Sequence, residues 1–97
     1  MNTELTIKSV QVRIEGRVQG VWYRGWTVDT ATKLGLNGWV RNRFDGSVEA
    51  VFSGPILSVD QMLTACHTGP TSARVTKVES IACTLPETRS FQQISTC

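Results

Sequence analysis

Residues 10–20 have the sequence VQVRIEGRVQG, in which an alternating segment leads directly into a glycine-bounded loop. Val10, Val12 and Ile14 alternate with polar residues, a pattern typical of a strand with one buried face. The loop is Gly16–Gly20, and helical periodicity begins a few residues later. From Val10 onward, the sequence therefore predicts a strand, a short loop and a helix.

The remaining sequence changes periodicity several times. Apolar residues at helical spacing followed by Gly35 predict a first helix from about Arg24 to Leu34. Further elements, in chain order, are a strand over 39–42, a hairpin turn at Asp45-Gly46, a strand over 48–52, a helix with the apolar stripe Val59, Met62, Leu63 and Cys66, a strand over 74–83, and a short edge strand with Phe91 and Ile94.

The start of the second helix and the regularity of the strand over 74–83 follow from residue spacing. Ser58 and Gln61 have the spacing of a capping box, which predicts the start of the second helix. Val75, Val78 and Ile81 are three residues apart, which predicts either a bulge or a strand that is apolar on both faces.

The order of elements is β-α-β-β-α-β with a weak fifth strand. It predicts an α+β, ferredoxin-like split β-α-β sandwich, with two helices on one face of a four- to five-stranded antiparallel sheet. The first and third strands should be central. At 97 residues, we expect a single domain over 1–97.

Composition excludes several classes of protein. A net charge of +2 is too small to imply wholesale binding of nucleic acid or membrane. No apolar run approaches the roughly 20 residues of a membrane helix, and residues 1–4 lack the features of a secretory signal. Cys66, Cys83 and Cys97 have no metal-site spacing with His67. We expect a cytoplasmic, reduced protein, with one internal disulfide left open.

The glycine-bounded loop is the first segment that could carry chemistry. Gly16 and Gly20 permit positive φ and close approach of the backbone to a ligand. A helix that starts directly afterwards presents free N–H groups and the positive end of its dipole. Arg24 adds a guanidinium suited to phosphate oxygens, so the segment predicts an anion cradle. The alternative is a plain connection with solvated arginines.

Asn42 is the second candidate, because it lies near the end of the second strand, just before the hairpin. Its side chain carries both a donor and an acceptor, so it can hold and orient a water molecule. The alternative is that Asn42 caps the turn, as asparagine often does. Arg41 and Arg43 flank it and could steer anions, although solvated strand-end charges are the default.

Together the two segments resemble the acylphosphatase family. Gly16–Arg24 meets the family motif G-R-V-Q-G-V-x-[FY]-R at every position, with Trp22 at the variable one. A second motif, G-[FYW]-x-x-N-x-x-x-G-x-V and a later glycine, is met by Gly38, Trp39, Asn42, Gly46, Val48 and Gly54. The resemblance covers roughly Val10 to Glu79, fits the predicted fold and is poorest after Ile94.

The resemblance implies a hydrolase that cleaves the carboxyl–phosphate bond of acyl phosphates to a carboxylate and inorganic phosphate. It implies that Arg24 binds phosphate catalytically and that Asn42 orients the attacking water. The phosphate cradle would be formed by backbone N–H groups of Arg17, Val18, Gln19, Gly20 and Val21. No cofactor, metal or covalent enzyme intermediate is expected. The expected partner is a small acyl phosphate, without nucleic acid or membrane, and the chain is expected to be a monomer.

Two other functions compete with this one. Acylphosphatase-like domains also occur within larger carbamoyl-phosphate-handling proteins, so the domain could bind without turning over. The same fold class includes the RRM, which would need an aromatic-rich pattern on the third strand. That strand instead has Glu49 and the one aromatic Phe52 over residues 47–52, which disfavours RNA binding.

Overall fold

The computed structural model describes residues 6–97 of the chain. Its elements are β1 (Ile7–Arg17), α1 (Tyr23–Lys33), β2 (Asn37–Asn42), β3 (Val48–Pro55), α2 (Ile56–Cys66), β4 (Arg74–Ala82) and β5 (Phe91–Gln93). The predicted α+β, ferredoxin-like class and the predicted order of elements are confirmed. The first helix begins and ends one residue earlier than predicted.

The sheet has the order β4-β1-β3-β2-β5, so β1 and β3 are central, as predicted. β1 pairs antiparallel with both β3 and β4, and β2 pairs antiparallel with β3 through the hairpin. Because β2 lies next to β3, its last residue Asn42 lies opposite Val48, the first residue of β3. This order brings the end of β2 to the same end of the sheet as the loop after β1.

The fifth strand corrects one expectation, because the sheet is mixed rather than wholly antiparallel. β5 pairs parallel to β2, with Gly38 opposite Phe91 and Val40 opposite Gln93. β4 ends beside the start of β1, where the Cys83 N–H donates to the Ser9 carbonyl. Residues 83–90 then cross that end of the sheet, so the next strand enters beside the start of β2 and must run in the same direction.

The core lies between the sheet and the two helices. Val10, Val12 and Ile14 of β1 are buried, which confirms the alternation in the sequence. Other buried apolar side chains come from both helices and from the neighbouring strands, and include Ala31, Val40, Val48, Ala50, Phe52, Val59, Met62 and Cys66. Within residues 6–97, no helix is long and apolar enough to cross a membrane.

The first helix contains a buried residue that the apolar pattern missed. Thr27 is fully buried because its hydroxyl donates to the Tyr23 carbonyl 2.7 Å away, which satisfies the polar group inside the core. Val28 and Leu34, two apolar residues at helical spacing, pack against the core while only partly buried.

The second helix begins earlier than the capping-box spacing predicts. β3 continues to Pro55, and α2 starts at the next residue with Pro55 as its N-cap and no side-chain cap. The prediction from Ser58 is therefore wrong, because no loop separates the strand from the helix. The apolar stripe is confirmed, with Val59, Met62 and Cys66 buried.

Of the two alternatives for β4, a bulge or a strand apolar on both faces, the structure shows a bulge, at the edge of the sheet. The register shifts between the pair Glu15–Lys77 and the pair Gly16–Val75, which leaves Thr76 as the extra residue. Gly16 has φ 122°, and a methyl group there would overlap the Arg74 carbonyl oxygen. Glycine is required at this position, and the bulge bends the pair just where β1 enters the loop.

Candidate active site

The loop between β1 and α1 presents a run of unpaired main-chain donors. Among residues 6–97, no turn or loop hydrogen bond is donated by the main-chain N–H groups of residues 18–22. Val18 is buried and Val21 is half-buried against the core, so their side chains anchor the loop while their N–H groups stay available. This run overlaps the predicted cradle of residues 17–21 from Val18 onward, whereas Arg17 lies in β1 opposite Arg74 of β4. Successive free N–H groups can form a concavity for anions.

The backbone of the loop has two residues with positive φ. Gly20 has φ 74°, and the space a side chain would take there is open. Trp22, the N-cap of α1, has φ 69° and makes no side-chain cap. No acidic residue lies in the first turn of α1. The positive end of this helix therefore faces the loop without a carboxylate to neutralise it.

Arg17 and Arg24 precede and follow the run of free N–H groups along the chain, and of the two only Arg24 lines the adjoining cavity of the described residues. Arg17 ends β1 and is exposed, and Arg24 is the second residue of α1 and is half-buried. Within the described residues, neither guanidinium forms an ion pair or a side-chain hydrogen bond. Two cations without carboxylate partners beside free N–H donors form an electropositive site.

Gln19 fastens the cradle to the β2–β3 hairpin. Its side-chain amide donates to the Arg43 carbonyl at 2.7 Å and to the Ser47 carbonyl at 2.8 Å. The sequence placed Gln19 in the cradle for its main-chain N–H alone, so this tether was missed. It joins the loop directly to the residue that follows Asn42.

Asn42 lies on the helix-covered face of the sheet. Alternation along β2 puts it on the same face as the fully buried Val40, whereas Arg41 points to the open face and pairs with Glu49. The Asn42 Oδ1 atom is buried and has no hydrogen-bond partner among the described residues. An orphaned buried acceptor is costly unless a water or ligand donates to it.

The turn itself is capped by a different residue. Asp45 Oδ1 accepts from the main-chain N–H of Ser47 at 2.9 Å and from its hydroxyl at 2.6 Å. These bonds, with a contact from Arg13, lower the pKa of Asp45 to about 2. The turn-capping alternative for Asn42 is therefore wrong.

The two arginines that flank Asn42 are engaged with one carboxylate. Glu49 Oε1 lies 2.7 Å from Arg41 Nε and 3.2 Å from an Arg43 guanidinium nitrogen. Burial acts to raise the pKa of Glu49, but hydrogen bonds from Arg41 and Gln11 lower it below its ordinary value. Arg41 and Arg43 are therefore both paired with Glu49 rather than free, and the three groups together keep one net positive charge.

A cavity of about 240 Å³ adjoins the cradle. Its lining consists of Val18, Gly20, Trp22, Tyr23, Arg24, Gly25 and Gln93. Gln93 comes from β5 and was missed by the sequence reasoning, because a three-residue strand pairs non-locally and leaves no periodic signal. Asn42 does not line this cavity. The loop and Arg24 thus share one pocket, and Asn42 is linked to them through the Gln19 tether.

Tyr23 fixes the start of α1 against α2. Its hydroxyl donates to the Cys66 carbonyl at 2.7 Å, and burial raises its pKa well above the ordinary value.

Cys66 is buried, Cys83 is half-buried and Cys97 is exposed, and all three are free thiols. The disulfide left open by the sequence is not formed. Across residues 6–97, no group of three His, Cys, Asp or Glu side chains could hold a metal ion.

Comparison with known proteins identifies the family. A sequence model of the acylphosphatase family matches residues 10–93. The chain is 56% identical over 87 residues to an acylphosphatase of Rhodospirillum rubrum, covering 90% of this chain and 96% of that one.

Solved structures agree with the sequence comparison. An acylphosphatase from Coxiella burnetii superimposes with a TM-score of 0.89 at 30% identity, covering 94% of this chain and 96% of that one. One from Bacillus subtilis gives 0.86 at 30% identity, covering 92% and 99%. On the matched motifs, the matched length and the shared fold, the chain belongs to the acylphosphatase family.

Proposed function

We propose that this acylphosphatase-family hydrolase cleaves acyl phosphates to a carboxylate and inorganic phosphate by direct attack of water on a phosphoryl group held in the loop of residues 17–21. The observation that carries the proposal is the run of unpaired N–H groups at residues 18–22, adjoining the unpaired guanidinium of Arg24. Family membership supports the reaction, and the geometry supports the roles of the individual residues.

The cradle residues bind the phosphate through their main chains. N–H groups of Arg17, Val18, Gln19, Gly20 and Val21 donate to the phosphate oxygens, and the open space at Gly20 lets the ligand approach the backbone. Phosphoryl transfer has a loose transition state whose charge is spread over these oxygens. Fixed donors stabilise that charge without having to reorganise, so binding and catalysis use the same groups.

Arg24 supplies the side-chain cation of the site. It follows the N-cap of α1 by two residues and lines the cavity with Gly20, so its guanidinium can bind two phosphate oxygens at once. Because no carboxylate among the described residues competes for it, its charge is available to the transition state.

Asn42 orients the attacking water. Its buried, unpartnered Oδ1 accepts a hydrogen bond from the water and so points a lone pair of the water oxygen towards phosphorus. The carboxylate leaves as a weak base and needs little protonation. The reaction therefore requires neither a covalent intermediate nor a general acid.

The test is hydrolysis of acetyl phosphate in EDTA-treated buffer, with inorganic phosphate as a competitive inhibitor. We expect turnover without added metal. Arg24→Ala should lower kcat/KM about 10³-fold, by analogy with arginines that stabilise transferring phosphoryl groups. Arg89→Ala is the matched control, because Arg89 is exposed and lies outside the cavity.

Three results would contradict the proposal. Phosphate binding without turnover would favour a binding module. Activity that EDTA abolishes would contradict metal independence. Equal activity of the Arg24 and Arg89 variants would remove Arg24 from the site.

We further propose that the chain acts as a cytoplasmic monomer on a small acyl phosphate, without nucleic acid or membrane. Phe52, the aromatic residue that RNA stacking would need on β3, is buried in the core, which supports the exclusion of RNA. Sedimentation equilibrium should give the mass of one chain, and cell fractionation should recover the protein with cytosolic markers. A dimer mass or recovery with membranes would contradict this.

A further inference from the structure

Trp22 combines exposure with an unfavourable backbone conformation. It is the one non-glycine residue with positive φ among residues 6–97, and 63% of it is exposed. A bulky residue in the left-handed region costs conformational energy, and such outliers cluster at functional sites. Burial in the core does not compensate this cost, so its cause lies elsewhere.

Gly25 fixes where the indole lies. A methyl group on Gly25 would overlap Nε1, Cε2 and Cδ1 of Trp22, so the ring rests directly against the glycine one turn into α1. Trp22 and Gly25 both line the cavity that also contains Arg24 and Gln93, so the indole lies at the wall of that cavity.

An acyl phosphate has two chemically different ends. Its phosphate end fits N–H donors and Arg24, and its acyl end must then project along the remaining walls of the same cavity. Those walls include Trp22, whose indole lies against Gly25, and Gln93 of β5. An aromatic face binds a planar apolar group through area burial and offset stacking, whereas an amide can donate to a carbonyl.

We infer that Trp22 is the specificity residue for the acyl group, so that the enzyme prefers planar aromatic acyl phosphates over small aliphatic ones. The inference rests on the proposed function, because it requires the phosphate to occupy the cradle. Trp22 stands at the variable position of the loop motif, so the motif itself does not assign this role.

The experiment compares kcat/KM for benzoyl phosphate and acetyl phosphate. Trp22→Asn removes the ring and keeps a residue that tolerates positive φ. We expect the benzoyl-to-acetyl ratio to fall about tenfold, in line with the loss of one aromatic contact. Trp39→Leu is the matched control, because Trp39 lies outside the cavity, stacked on Arg41; it should leave the ratio unchanged.

A second variant tests the position of the ring rather than its presence. Gly25→Ala keeps Trp22 but forces the indole to move, and alanine favours the helix. It should also lower the ratio. If the wild type is active and both variants keep its benzoyl-to-acetyl ratio, the inference alone is overturned. A wild type that hydrolyses neither compound overturns the proposed function and the inference with it.

Discussion

Asn42 ends β2 with a buried side-chain oxygen that no donor in the described part of the chain reaches. Leaving such a group unpaired costs about 1–3 kcal/mol, so a water or ligand is the expected partner. The neighbouring strand and hairpin do not need this side chain, because Asp45 caps the turn. The Asn42 side chain is therefore better explained by a role in binding a water or ligand than by a role in the stability of the turn.

Replacing Asn42 separates water placement from phosphate binding. Asn42→Ala should reduce kcat at least 100-fold, because a misplaced nucleophile loses the advantage of orientation. The inhibition constant of inorganic phosphate should stay near the wild-type value. Steady-state kinetics with phosphate as inhibitor measures both quantities.

Asn37→Ala is the control for that variant, since Asn37 begins the same strand at its opposite end. A large loss of phosphate affinity in Asn42→Ala, with kcat preserved, would contradict the role in water placement and make Asn42 a binding group.

Prediction from sequence at this scale succeeded where a residue's environment is local. The short strand pattern and the turn signal that follows it were enough to place Asn42 at the end of β2, at the same end of the sheet as the loop after β1. Gln93 and the side-chain role of Gln19 were not found, because both depend on contacts with residues more than 20 positions away. Thr27 was missed because an internal hydrogen bond makes a polar residue compatible with the core.

Among the elements, the β2–β3 hairpin supports the loop after β1. The Gln19 side-chain amide donates to the carbonyls of Arg43 and Ser47. The conformation of the loop after β1 is therefore coupled to the conformation of the hairpin turn. Asp45 holds that turn through Ser47 and contacts Arg13 of β1 at 2.7 Å. Replacing the Asp45 carboxylate should therefore lower the stability of the folded protein.

The pKa of Asp45 predicts a specific pH dependence. Hydrogen bonds from Ser47, with the contact from Arg13, lower this pKa from 3.8 to about 2 in the folded protein. The carboxylate therefore contributes stability above pH 4 that is lost as pH falls towards 2. Thermal melts should show Asp45→Asn less stable than wild type at pH 7, with the gap in Tm narrowing steadily as pH falls from 4 towards 2. A gap that stays constant would contradict the assignment.

Element types were predictable, but some boundaries and one strand direction were not. The start of α2 was wrong because β3 runs into the helix through Pro55 without a loop. The direction of β5 follows from the path of residues 83–90 across one end of the sheet, which local periodicity does not encode. The bulge in β4 was predictable because its apolar residues fall out of alternation.

In the whole molecule, the sheet order explains why distant motifs meet. Central β1 delivers the cradle, and β3 holds β2 beside it, so that the ends of β1 and β2 reach the same edge. β5 then adds Gln93 to the cavity from the outer side of β2. Residues of the loop, of helix α1 and of β5 thus line one cavity beside the positive end of α1, and Asn42 lies at the same end of the sheet without lining that cavity.

The central claim is that main-chain amides of one loop bind the phosphate. The most direct measurement is a ¹⁵N-resolved NMR titration of the full chain with inorganic phosphate in EDTA. We predict saturable shifts concentrated in the amides of residues 17–22 and in the Arg24 side chain, with little change in β4. Saturable shifts centred on other residues, or none at millimolar phosphate, would contradict the account.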